Sequence, residues 1–357
     1  MGIEPAFLLY GSYGYTGNLI AELAVQHGMP PMLAGRNESQ LQNQAKRLGL
    51  DYRCFSLDNR SALEAALKEV PVVLHCAGPY IHTYQQMAEA CLHTNTHYID
   101  LSGEMAVYQG LVALDSAARL AGVMLLPGAG FDIVPSDCLA AHLKQRLPSA
   151  NRLELAIQAL GTGVSRGTAL SAIQSLPRQG WVRRDGKLLT EPIAATSKMV
   201  DFGYGLKKVV SIPLADVFTA YYSTLIPNIS GYFAIPPLLR MLLFANHQLN
   251  WMLAKKTLQN LLIRLIRLFL QGPSQSSRQR GRCLLWGMVA DAEDNQAISL
   301  LETPEAYSLT AHTAIRVVAK TLARKSKPGF QTPSTAFGAD FILEFAGVKR
   351  LDLPSHS

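Results

Sequence analysis

Four side chains able to move a proton, Tyr80, His82, Glu104 and Asp132, each follow a short apolar run that ends in Gly, Pro, Ser or Asp. A phenol, imidazole or carboxyl placed there could hand a proton to a substrate, provided something else supplies the electrons. The chain offers a place for that second group in Gly11-Ser12-Tyr13-Gly14-Tyr15-Thr16-Gly17. Glycines let the backbone take positive φ and let a pyrophosphate approach, while a helix starting there aims N–H groups at the anion. The usual dinucleotide spacing is G-x-G-x-x-G; the spacing here is G-x-x-G-x-x-G.

The next apolar run, Pro30 to Gly35, ends in Arg36-Asn37. A site for NAD places Asp or Glu at this point to hold the ribose 2′-hydroxyl, whereas arginine accommodates a 2′-phosphate. Arg36 lies 19 residues beyond Gly17, close to the offset such sites use. The rival reading is a solvated arginine at a strand end. The cofactor expected from these residues is NADP(H).

The elements that must position these groups follow from the apolar pattern. Ala6–Tyr10 reads as a strand buried on both faces, and Asn18–His27 as a helix with Leu19, Ile20, Leu23 and Ala24 on one side. Further strands are expected at 52–55, 70–76, 97–101 and 123–126, and helices at 38–48, 61–68, 84–93 and 107–121. This alternation predicts an α/β fold, an N-terminal Rossmann-type doubly wound parallel sheet over residues 1–132, with ligands off the carboxyl ends of its strands. His75 and His97, inside or beside strands, read as structural.

From residue 133 the pattern changes. A strand is expected at 153–160, polar strand-like pieces over 180–208, and strands at 209–212 and 217–222, so residues 133–329 read as an α+β substrate or dimerisation domain. Residues 238–253 and 254–271 read as helices, the second with Leu258, Leu261, Leu262, Leu265, Leu268 and Phe269 opposite Lys256, Asn260, Arg264, Arg267 and Gln271. Such a face suits core packing, a homodimer interface, a membrane surface or an acidic carrier. Residues 273–282 read as a mobile loop. In the tail, Gly329 to Asp340 reads as a turn into a helix at 341–345, with Thr332 or Ser334 as its cap.

The chain has 357 residues, 48% hydrophobic, with a net charge of +7. Residues 1–150 carry nine basic and thirteen acidic side chains, a balance of −4, and the remainder carries +11. Residues 217–290 contain no Asp or Glu against eight Lys and Arg. An anionic partner for the second half is expected, and no nucleic acid. The five cysteines form no C-x-x-C pair, which points to reduced thiols and no metal site. No spanning helix or secretory leader is expected, so the localisation expected is cytoplasmic, with room for a peripheral membrane contact.

The ordered blocks GSYGYTG, LAGRN, HCAGPY, YIDLSGE and LPGAGFDIVPSD resemble the saccharopine dehydrogenase-like family. Within it they are most similar to the short bacterial branch of trans-acting enoyl reductases and saccharopine reductase-like proteins. GTGVSRGT and GFQTPSTAFG resemble it more loosely. The resemblance implies that Gly11 to Gly17 hold the pyrophosphate and that Arg36 and Asn37 take the 2′-phosphate. It implies Asp58 beside the adenine and Ala77-Gly78-Pro79-Tyr80 along the nicotinamide half. Ser102-Gly103-Glu104 and Gly130-Phe131-Asp132 would line a cleft between domains, and residues from about 330 to 357 would return to the first domain. A greasy, basic second half does not suit an amino-dicarboxylate.

The function expected is therefore an NADP-dependent oxidoreductase, with hydride transfer to an apolar or carrier-bound acyl (enoyl) substrate. Tyr80, Glu104 and Asp132 are the catalytic candidates. The alternatives are a true saccharopine or imine-type reductase acting on an amino acid, and a non-catalytic NADP-binding scaffold attached to lipid. Tyr204 and Lys208 have the Tyr-x-x-x-Lys spacing of short-chain dehydrogenases, but Glu191 occupies the place of the upstream Ser, and that match reads as an accident.

Overall fold

A computed structural model of the chain describes residues 5–161, 180–235 and 272–354, together with Arg264. Residues 162–168 of GTGVSRGT and the helices expected at 238–253 and 254–271 fall outside the described residues, apart from that single arginine. The chain divides into two units, Met1–Val134 with Tyr307–Phe341, and Pro135–Ala306 with Ile342–Ser357.

The first unit begins with β1 (Phe7–Tyr10), fully buried, and α1 (Tyr15–Gln26), which turns Ile20, Ala21 and Ala24 inward. There follow β2 (Pro31–Gly35), α2 (Glu38–Leu48), β3 (Tyr52–Cys54), α3 (Arg60–Leu67) and β4 (Val72–His75). Next come α4 (Tyr84–Thr94), β5 (His97–Asp100), α5 (Met105–Ala113), α6 (Asp115–Leu120) and β6 (Met124–Leu126). The helix expected over 107–121 is thus two helices, broken at Leu114. The break has a consequence for packing: Asp115, at the start of α6, accepts the main-chain N–H of Phe330 at 2.7 Å.

The second unit opens with α7 (Val134–Arg146), whose first residue is still counted with the first, and β7 (Arg152–Leu160). It continues through β8 (Gly180–Arg184), β9 (Lys187–Glu191), β10 (Ser197–Asp201), β11 (Leu206–Ser211), α8 (Asp216–Thr224) and β12 (Asn228–Phe233). α9 (Gln275–Arg280), β13 (Arg282–Ala290) and β14 (Gln296–Pro304) complete it before the chain returns to the first unit. The strand expected at 217–222 is the helix α8. Its buried residues Val217, Thr219, Ala220 and Thr224 recur at helical spacing, and packing overrides the strand preference of Val, Thr and Tyr. The expected loop at 273–282 holds α9, started by the Ser274 side chain, which accepts the N–H of Ser277.

The return runs through α10 (Ala306–Leu322), β15 (Gly329–Phe330) and α11 (Pro333–Phe337). Thr332 caps α11, with Thr335 answering from the other side in a capping box. Only residues to Phe341 belong to the first unit. The helix expected at 341–345 is a 3-10 turn over Phe341–Glu344, and β16 (Lys349–Asp352) joins the second sheet, not the first.

The first sheet has seven strands in the order β15-β6-β5-β4-β1-β2-β3, all parallel. The order reverses direction at β1, between β4 and β2, which is where doubly wound sheets bind ligands. The second sheet runs β10-β11-β12-β7-β13-β14-β16, mostly antiparallel, with β7 and β12 parallel and β8 and β9 branching from β12. Helix α7 packs on it: a Cβ on Gly287 would lie 2.5 Å from Leu143. Among the described residues, no helix is long and apolar enough to cross a membrane.

Candidate cofactor and proton-transfer site

The glycine loop connects β1 to α1, and its geometry explains its composition. Gly11 sits at φ +80°, and a Cβ there would meet the main chain of Cys76 and Ala77 at 2.9 Å. The ends of β1 and β4 are therefore pressed together. Gly14 is the residue before α1 and offers no capping side chain. A Cβ on Gly17 would lie 2.4 Å from the Gly11 carbonyl and 2.8 Å from that of Ser12. These contacts leave an uncapped helix end above a turn stripped of side chains, which fits a pyrophosphate.

The other loop residues have distinct places. Ser12 is buried, and its hydroxyl donates to Gln44 Oε1 at 2.8 Å. The Tyr13 ring lies across Gly35, where a Cβ would come within 2.6 Å of it. Tyr15 meets Tyr307 of α10 edge-on, ring centroids 5.1 Å apart. Thr16 is half-buried in the first turn of α1.

Arg36 is exposed just past β2. Among the described residues it forms no ion pair, so its guanidinium is available to an anion. Asn37 acts locally. Its side chain accepts the Gln40 N–H at 3.0 Å and starts α2. Asp58, exposed after β3, accepts the Ser56 hydroxyl at 3.0 Å.

The proton-moving candidates gather at the carboxyl ends of β4, β5 and β6. Ala77 to Tyr80 follow β4, with the Gly78–Pro79 bond cis. Glu104 spans to this loop: Oε1 accepts the Tyr80 N–H and Oε2 the Ile81 N–H, both at 2.9 Å. Both oxygens are thereby committed to main chain, and Glu104 is built as a clamp. Asp132 reaches back toward the β5 loop, where a Cβ on Gly103 would sit 3.1 Å from its Oδ2. Ser102 is buried; its N–H donates to Asp100 Oδ1 at 2.8 Å and its carbonyl accepts the Tyr108 hydroxyl at 2.5 Å. His82 is exposed in the 3-10 turn that follows Pro79.

The electrostatics separate these groups. Asp132 touches solvent, yet enough protein surrounds it to push its carboxyl up to about 6. Burial, and then the neighbouring Cys76, Asp100, Glu104 and Asp132, hold the Tyr80 phenol well above its ordinary range. It therefore stays protonated at any working pH. His75 is driven down to about 3 by burial alone and is neutral. Its Nε2 pairs with the Thr83 hydroxyl at 2.9 Å, and Tyr80 stands edge-on to its ring at 5.5 Å. His97 is structural as well, its Nδ1 accepting the Met124 N–H at 2.9 Å.

Several residues that shape the site are not evident from the sequence. Asp100 is fully buried and holds Tyr98, Ser102 and Gly128 at 2.6, 2.8 and 2.9 Å. Its burial raises its carboxyl against those three hydrogen bonds. The signal that could find it is an acid inside an apolar strand. Thr310 and Thr313 of α10 hold the loop before Asp132: Thr310 Oγ1 accepts the Phe131 N–H at 2.9 Å, and the Thr313 hydroxyl donates to Ala129 O at 2.7 Å. Tyr204 and Lys208 belong to the β10–β11 hairpin, where the Tyr204 hydroxyl donates to Glu302 at 2.9 Å. No helix brings that pair together, so the short-chain dehydrogenase spacing has no counterpart in the fold.

Comparison with known proteins agrees with this geometry. Residues 7–126 match the family model of the saccharopine dehydrogenase NADP binding domain. A trans-acting enoyl reductase of Mycobacterium leprae (strain TN) is 34% identical over 152 residues, covering 40% of this chain and 36% of that one. A saccharopine dehydrogenase-like oxidoreductase of Rattus norvegicus is 24% identical over 202 residues, covering 50% of this chain and 47% of the relative. The chain thus spans less than half the length of these curated relatives. The apo saccharopine dehydrogenase (L-Glu forming) of Saccharomyces cerevisiae has the same fold: TM-score 0.68 at 15% identity, over 98% of this chain and 100% of that one.

Proposed function

We propose that this chain, which carries a saccharopine dehydrogenase-type NADP-binding domain at residues 7–126, is an NADPH-dependent reductase of carrier-bound enoyl substrates. One observation carries the reading. The glycine loop after β1 presses on Ala77, so the cofactor loop and the Tyr80, Glu104 and Asp132 group share one edge of one sheet. When bound there, NADPH supplies a hydride. Reduction of an enoyl thioester needs that hydride at the β-carbon and one proton at the α-carbon, giving the saturated thioester and NADP⁺.

The chain's own residues divide the remaining work. Gly11 to Gly17 and the start of α1 take the pyrophosphate; Arg36 takes the 2′-phosphate, and Asn37 fixes the helix behind it. Asp58 sits on the adenosine side. Ala77, Gly78, Pro79, Ser102 and Gly103 line the nicotinamide half. Asp132 holds the proton, since a carboxyl near 6 is still partly protonated where enzymes work. The Tyr80 phenol orients the carbonyl as a neutral hydrogen-bond donor, and Glu104 sets the height of Tyr80.

The substrate class is supported by the name of the mycobacterial relative and by the acid-free stretch at 217–290. That stretch suits a phosphopantetheine, an acidic carrier or an anionic lipid surface. The test is NADPH oxidation followed by absorbance with enoyl thioesters on coenzyme A and on a carrier protein. Turnover with neither, alongside tight NADPH binding, would refute the acyl assignment. Turnover with a 2-oxo acid and an amino acid together would replace it with imine reduction.

A further inference from the structure

Gln44 is a polar side chain in an apolar place. It lies two turns into α2, on the inward stripe with Leu41 and Ala45, and is 4% exposed. Its amide faces the glycine loop, not solvent. Oε1 accepts the Ser12 hydroxyl at 2.8 Å, and Nε2 donates to the Ser12 carbonyl at 2.9 Å. The same Nε2 lies 3.2 Å from Asn18 Oδ1 on α1. Asn18 is held in turn by Arg47 Nη2 at 2.5 Å, and Arg47 Nη1 is 2.6 Å from Glu22. One amide thus ties the loop, the first helix and the second helix together.

The tie sits between two points that the functional reading gives to one ligand. Just before α2 are its cap Asn37 and then Arg36; on the other side is the loop that receives the pyrophosphate. The Ser12 carbonyl it grips is the one that lies against Gly17. A carbonyl held by a donor cannot turn its negative end toward an anion. We propose that Gln44 is a positioning residue that keeps the Arg36 end of α2 in register with the glycine loop, and so sets the preference for NADPH over NADH. The inference rests on the NADP-binding reading above and adds to it a buried residue whose polar partners are Ser12 and Asn18. Registering two anchors in advance favours the ligand that uses both, while NADH, which lacks the 2′-phosphate, uses one.

The experiment measures Kd for NADPH and NADH by nicotinamide fluorescence on the unaltered protein, Gln44→Leu, Arg36→Ala and the double variant. Thermal unfolding of each without cofactor is measured alongside. The expected result is about a tenfold fall in the NADPH-to-NADH preference in Q44L, the scale of one to two lost hydrogen bonds. In the R36A background the same change should leave the preference where R36A alone puts it, a non-additive cycle. Equal weakening of both cofactors by Q44L, or additive losses, would overturn the inference and leave NADP binding intact. If Q44L does not fold, Ser12→Ala removes one of the two bonds and should show the same loss of preference at smaller size; an unchanged preference there overturns it as well. Binding of neither cofactor by the unaltered protein would sink the functional reading, and this inference with it.

Discussion

Glu104 accepts the main-chain N–H groups of Tyr80 and Ile81, one on each carboxylate oxygen, at 2.9 Å. A residue with the chemistry of an acid is thereby occupied as a bracket, joining the loop after β5 to the loop after β4.

Replacing Glu104 with Ala leaves two N–H groups without an acceptor. The expected cost is about 1–3 kcal/mol of stability, with turnover falling more than NADPH affinity, because Tyr80 loses its fixed position. Thermal unfolding and steady-state kinetics check this. An unchanged kcat in E104A would separate Tyr80 from the reaction.

Asp132 sets the pH dependence. With its carboxyl, on an exposed residue, pushed up to about 6 by the protein packed around it, the protonated form, and with it reductase turnover, declines as pH rises through that value. Asp132→Asn should remove the limb from the pH–rate profile. The folded value lies above the ordinary carboxylate value of about 3.9. The unfolded chain therefore releases this proton first, and the associated stability is present below about 4 and lost as pH rises to about 6. Solvent reaches the group, so the stability effect is small and the kinetic limb is the decisive measurement.

Two glycine substitutions should part company. In Gly17→Ala the new methyl meets backbone, the Gly11 carbonyl at 2.4 Å, and no rotation relieves it. NADPH binding should be lost, and with it about 1–3 kcal/mol of stability. In Gly35→Ala the obstacle is the Tyr13 ring at 2.6 Å, which can swing away. The protein should stay folded with weakened NADPH binding. Adding Tyr13→Ala should then restore the stability but not the affinity. Isothermal calorimetry and circular dichroism distinguish the outcomes.

The C-terminal strand has its own anchor. Asp352 accepts the Ser299 hydroxyl at 2.7 Å and pairs with His142 at 2.9 Å, while Arg146 donates to the Leu353 carbonyl at 2.9 Å. The hydrogen bonds from Ser299 and His142, then the charges of His142 and Arg146, outweigh burial and hold the Asp352 carboxyl below its ordinary value. Its contribution is therefore present above about 4 and lost as pH falls through the lowered folded value. Asp352→Asn should raise amide exchange across residues 349–352 at neutral pH, with β1 to β6 unchanged.

Much of this is legible in the sequence for physical reasons. The glycine loop is visible because its spacing is dictated by main-chain collisions, as at Gly17, which only a missing side chain avoids. The place of Arg36 is visible because a charged residue closing an apolar run marks where β2 leaves the sheet, and Arg36 is exposed just past it. The role of Glu104 is hidden because its partners are N–H groups, which carry no residue identity. Helix α8 reads as a strand since Val217, Thr219 and Tyr222 favour strands locally and only tertiary packing decides otherwise. Gln44 leaves a faint trace, a lone amide on an apolar stripe. Thr310 leaves none, since its partner Phe131 lies far away along the chain.

The seventh strand of the parallel sheet, β15, arrives only at Gly329 and Phe330, after the whole run of β7 to β14 has been synthesised. A nascent chain leaving the ribosome therefore carries β6 with an open flank until Gly329 and Phe330 have emerged. A fragment ending at Val134 would keep that flank bare, and it should self-associate through β6 more readily than the intact chain.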